Sequence, residues 1–92
     1  MSSENPMISV AVNHPHGLHA RPCLAIVNIV RKHQAEVTVN NGRQMVNAAS
    51  ILELMTLGAA PGQTLVLSAK GPEAQEVLTG LARLFASNFG LF

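Results

Sequence analysis

The stretch LHARPCLAIVNIVRKH, Leu18 to His33, decides the fold. Its centre holds Ile26, Val27, Ile29 and Val30, β-branched residues that by propensity alone suit a strand. Length and punctuation argue for a helix over 20–33. The segment is too long for a typical strand, and Pro22 stands in the first turn, where a missing N–H leaves nothing unpaired. Arg31, Lys32 and His33 close it, and cations suit the negative end of a helix.

Upstream, MISVAVN alternates Ile8, Val10 and Val12 against Ser9, Ala11 and Asn13, which predicts a half-buried strand over Met7–Asn13. Downstream, AEVTVNNGRQMVNA reads as a hairpin with Val37 and Val39 inward and Glu36, Thr38 and Asn40 outward. Asn41 and Gly42 are expected to supply the positive φ angles of a tight turn. SILELMTLG follows, with Ile51, Leu54 and Met55 at helical spacing, Ser50 as N-cap and Gly58 as stop. After the Pro61-Gly62 turn, QTLVLSAK alternates Leu65, Leu67 and Ala69 against Thr64, Val66, Ser68 and Lys70. Pro72 and Glu73 then open a helix with the stripe Ala74, Val77, Leu78, Leu81, Leu84 and Phe85, ending near Gly90.

The order is β-α-β-β-α-β-α. It predicts an α+β fold, a two-layer open-faced sandwich in which a four-stranded antiparallel sheet carries three helices on one face and turns the other to water. With 92 residues, 48% of them apolar and 12% charged, the chain reads as a single domain over 1–92 with an ordered core of about 7–90. A net charge of +1 argues against nucleic acid as a partner. No apolar run approaches the ~20 residues of a membrane span, so no membrane insertion is expected. Cys23, the single cysteine, has no partner for an internal disulfide, and no leader pattern is visible; a cytoplasmic monomer is the expectation.

The chemistry gathers in HPHGLHARPC, His14 to Cys23. His19 falls where a loop meets a helix start, and such a start presents unpaired N–H groups with a partial positive charge behind them. Pro22 offers no N–H, so the donors expected around an anion are the amides of Ala20, Arg21 and Cys23 and the Arg21 guanidinium, with Gly17 letting the backbone come close. An imidazole beside such a cradle suits phosphorylation, since it is a nucleophile near neutral pH and its product dianion meets positive charge. His19 is therefore the candidate phosphoryl carrier. His14 and His16 are read as loop histidines, and with one cysteine and no carboxylate nearby no metal site is expected. Cys23 is read first as a small buried hydrophobe. One short helix cannot bury every apolar residue of ILELM, so part of it should form an exposed docking patch.

GLHARP resembles the active-site motif of the histidine-containing phosphocarrier HPr family of the bacterial phosphoenolpyruvate-dependent phosphotransferase system, and NAASILELMTLGA resembles that family's second helix. The resemblance runs roughly from Met7 to Gly90. It implies that His19 is phosphorylated on Nδ1 by Enzyme I and passes the group to IIA proteins or domains, with Arg21 assisting. It also implies a stoichiometric carrier without a cofactor, not a turnover enzyme. A serine at the position of Ser50 is phosphorylated by a dedicated kinase in some bacteria, which makes a serine kinase and phosphatase further expected partners. Contact with Enzyme I is expected through Leu18, Ile51, Leu52 and Met55. The sequence departs from common family members at Cys23, at Ala49 and at Glu53. Its ending, GPEAQEVLTGLARLFASNFG, is similar to nitrogen-branch relatives and to carrier domains fused inside multiphosphoryl transfer proteins. The alternative reading is a regulatory binding module whose phosphorylation state switches partner affinity.

Overall fold

The computed structural model describes residues 5–90. Strand β1 (Met7–Ala11) leads through the histidine-rich turn into helix α1 (Ala20–Arg31), followed by β2 (Glu36–Asn40), β3 (Met45–Asn47), α2 (Ile51–Thr56), β4 (Thr64–Lys70) and α3 (Ala74–Ala86). A 3-10 turn, Asn88–Gly90, follows α3. The sheet order is β1-β4-β2-β3. Every neighbouring pair is antiparallel, with Ser9 opposite Val66, Thr38 opposite Ser68 and Val39 opposite Val46. Because β4 lies between β1 and β2, α1 spans a split β-α-β unit, and all three helices cover one face.

The alternation read from the sequence sets the layers. Val37 and Val39 of β2 and Leu65, Leu67 and Ala69 of β4 are buried, while their neighbours along each strand are half-buried or exposed. Against them α1 packs Pro22, Cys23, Ile26, Val27 and Val30, and α3 packs Ala74, Val77, Leu78, Leu81 and Phe85. Each fully buried Val, Leu or Ile contributes roughly 1.5–3 kcal/mol through removal of apolar surface from water. Leu54 of α2 completes this core. Among the described residues no helix is long and apolar enough to cross a membrane.

Three boundaries differ from expectation besides the end of α3, which stops at Ala86 rather than near Gly90. Strand β1 stops at Ala11, although Val12 still exchanges bonds with the chain before β4, donating to the Gln63 carbonyl at 2.9 Å and accepting from Gly62 N–H at 2.6 Å. Helix α1 stops at Arg31 because the amides of Lys32 and His33 turn back on the Ile29 and Val30 carbonyls. The β2–β3 hairpin is not a two-residue turn. Asn40 pairs with Met45, leaving a four-residue loop in which only Gly42 takes positive φ (+94°), and Asn41 Oδ1 accepts the amides of Arg43 and Gln44 at 2.9 Å each. Side-chain acceptors here do the work assigned to a second positive φ.

Candidate functional site

The turn from His14 to Leu18 is closed by its own backbone and by one remote contact. Gly17 N–H donates to the His14 carbonyl at 2.9 Å, and Leu18 N–H donates to the Ala59 carbonyl at 2.9 Å. Gly17 sits at φ +68°, and a Cβ there would overlap the Ala59 oxygen, so glycine is required twice over. His19 follows as the N-cap of α1, extended at φ −97° and ψ −169°, and its carbonyl accepts the Cys23 amide at 3.1 Å.

The His19 side chain makes no capping hydrogen bond. Its Nε2 is closed off from solvent and has no hydrogen-bond partner among the described residues. Two other imidazoles flank it: the ring centroids of His14 and His16 lie 5.0 and 5.9 Å away. His14 is buried, and its Nδ1 accepts the His16 amide at 3.2 Å. Burial first, and then the charges His19 and His16 can carry, hold the His14 pKa below the usual imidazole value. His14 lies in the loop between β1 and α1, as read from the sequence, and its burial there is what no sequence pattern signalled. No three of the described His, Cys, Asp and Glu side chains are grouped to hold a metal ion.

The expected anion cradle is smaller than four residues. The Gly17 amide is spent on His14 and the Cys23 amide on His19, so neither is free for an anion. That leaves the N–H groups of Ala20 and Arg21, which meet no acceptor among the described residues, and the exposed Arg21 side chain, which forms no ion pair or hydrogen bond among them. Cys23 is fully buried and burial pushes its thiol up to about 11, as befits a hydrophobe rather than a nucleophile.

The apolar patch also changes membership. Leu18 is only 5% exposed and belongs to the core, its amide on the Ala59 carbonyl, which leaves little of its side chain to meet a partner. Ile51 is half-buried, whereas Leu52 and Met55 are 75% and 46% exposed. Leu24 of α1, 50% exposed, is a further exposed apolar residue that the sequence reading did not name. A signal was present: Cys23, Ile26, Val27 and Val30 fill the i, i+3, i+4, i+7 stripe and leave Leu24 off it. Ser50 caps α2, its Oγ accepting the Glu53 amide at 3.2 Å, and the Glu53 carboxylate accepts the Asn47 amide at 2.9 Å.

An open-faced sandwich with a histidine at the start of its first helix, its ring uncommitted to capping beside unspent amides, is the architecture of a small phosphocarrier. The family model for the PTS HPr component phosphorylation site matches residues 7–87, and the chain belongs to that family; it is an HPr-family phosphocarrier domain. It is 34% identical over 79 residues to the phosphocarrier protein HPr of Chlamydia muridarum, covering 86% of this chain and 76% of that protein. It is 37% identical over 82 residues to a multiphosphoryl transfer protein of Haemophilus influenzae, of which it spans 16%, the match covering 86% of this chain. The crystal structure of HPr-C-His from Thermoanaerobacter tengcongensis superimposes with a TM-score of 0.89 at 32% identity, covering 95% of this chain and 98% of that one.

Proposed function

We propose that His19 is the phosphoryl acceptor of this carrier, loaded by phosphorylated Enzyme I and unloaded onto IIA proteins or domains. The observation that carries the reading is the state of the His19 ring: Nε2 is shut away without a partner and no capping bond engages the side chain, so Nδ1 is the nitrogen left for attack. The Nδ1 lone pair attacks phosphorus, the Nδ1–P bond forms, and the bond from phosphorus to the donor breaks. The three phosphoryl oxygens then lie near the Ala20 and Arg21 amides and within reach of the Arg21 guanidinium. The helix-dipole share of this stabilisation is about 0.3–1 kcal/mol when exposed and ~2 kcal/mol when partly buried, modest enough for the group to be passed on.

Exposed Leu24, Leu52 and Met55, with half-buried Ile51, supply the apolar docking surface. Ser50, at the start of α2, is the position at which a serine kinase would act on this surface, because a phosphate there adds charge next to apolar contacts that must be desolvated on docking. The test is direct. Incubation with phosphoenolpyruvate and Enzyme I should add one phosphoryl group to the intact mass, lost in acid and kept in alkali, and His19→Ala should acquire none. Labelling of His19→Ala at the parental rate would overturn the assignment.

A further inference from the structure

We propose that His14 is a positioning residue for phosphoryl transfer: its buried imidazole accepts the His16 amide and so locks the turn that delivers His19 to the start of α1. The inference rests on His19 being the phosphoryl acceptor. His14 is the buried polar side chain of the described residues, at 8% exposure. It closes the turn twice, with Nδ1 accepting His16 N–H at 3.2 Å and its carbonyl accepting Gly17 N–H at 2.9 Å. An imidazole nitrogen that accepts a backbone N–H carries no proton, so His14 is neutral with its proton on Nε2. A side-chain acceptor at residue i meeting the amide of i+2 is the arrangement of an Asx turn, built here with a ring in place of an amide.

The His14 ring also lies against the other two imidazoles of the turn. It stands 5.0 Å from the His19 ring at 57° and 5.6 Å from the His16 ring at 45°, while His16 meets His19 edge-on at 5.9 Å and 82°. His19 is thus bordered by two imidazoles that are themselves tied together through the His14–His16 bond. With both turn amides ending on His14 and the next one on Ala59, no backbone donor between His16 and Leu18 is free to let the turn rearrange. Transfer between two proteins requires the attacking nitrogen in a narrow range of positions, and a misplacement near 1 Å costs on the order of a hundredfold in rate.

Three measurements test this on the full chain with phosphoenolpyruvate and Enzyme I. In His14→Asn the amide oxygen can accept the same N–H, and the maximal phosphorylation rate should stay close to the parental one. In His14→Leu the volume is kept and the acceptor is lost; the maximal rate should fall roughly ten- to hundredfold while the Enzyme I concentration giving half-maximal rate is unchanged. Full rate in a folded His14→Leu protein, or an equal loss in the asparagine and leucine variants, would overturn the proposal. Should the leucine variant not fold, the ring nitrogens of the parent protein decide by NMR: bare Nδ1 and protonated Nε2 at His14 are expected, and a proton on Nδ1 overturns the proposal. Unimpaired labelling of His19→Ala removes the carrier reading, and this inference with it, yet leaves the His14–His16 hydrogen bond and its NMR test untouched, so the two failures are told apart.

Discussion

The Ala59 carbonyl oxygen meets Gly17 and Leu18 together: it accepts the Leu18 amide at 2.9 Å and occupies the space a Gly17 side chain would need. Ala59 lies just beyond α2, so this one oxygen fastens the loop carrying His19 to the segment that follows α2.

Replacing Gly17 by alanine strains that junction. A left-handed φ costs an L-residue roughly 1–2 kcal/mol, and the overlap with Ala59 adds to it. Gly17→Ala should melt roughly 10 °C below the parent. A melting temperature within error of the parent would show that the loop gives way without loss.

Arg21 separates function from stability. Its side chain is exposed and without partners among the described residues, so Arg21→Ala should change stability by less than about 0.5 kcal/mol. Loss of a guanidinium near the transferring group should slow phosphorylation by about a hundredfold. Stopped-flow transfer alongside thermal melts would expose the opposite pattern, a destabilised protein with normal transfer.

The docking surface predicts a change in affinity. Leu52 is 75% exposed, so Leu52→Glu should leave the melting temperature in place. The Enzyme I concentration for half-maximal transfer should rise roughly tenfold, as expected for an anchor side chain replaced by a charge. An unchanged value, tested also in Leu24→Glu, would place Enzyme I on another face.

Cys23 predicts an alkaline limb of stability. Burial raises its thiol from 9.0 to about 11, so the folded state favours the protonated form. The contribution is complete below pH 9 and fades as pH rises towards about 11, because the unfolded chain ionises first. The upper slope is about 1.4 kcal/mol per pH unit, reduced by whatever water reaches the sulfur. Denaturant unfolding of the parent and of Cys23→Ala at rising pH should show their stability difference shrinking across that window. A constant difference would mean the thiolate is as well solvated in the fold as outside it.

Much of the architecture follows from local periodicity. The two-residue alternation of β2 and β4 and the stripe of α3 are properties of neighbouring residues, and each placed its buried face as observed. Pro22 and the closing cations resolved the β-branched α1 in favour of a helix for the same reason. The place of His19 and Arg21 at the start of α1 was likewise legible, since a loop-to-helix junction is marked within a few residues.

What the tertiary structure alone decided depends on pairs remote in sequence. Leu18 is buried and Gly17 is irreplaceable because Ala59, far along the chain, arrives against them. The three imidazoles of one decapeptide look alike as letters, yet one is buried as a hydrogen-bond acceptor, one is exposed and one caps a helix with its ring uncommitted. Periodicity reports which side of an element faces inward; which amide is already spent and which nitrogen is closed to solvent are fixed only when separate elements meet.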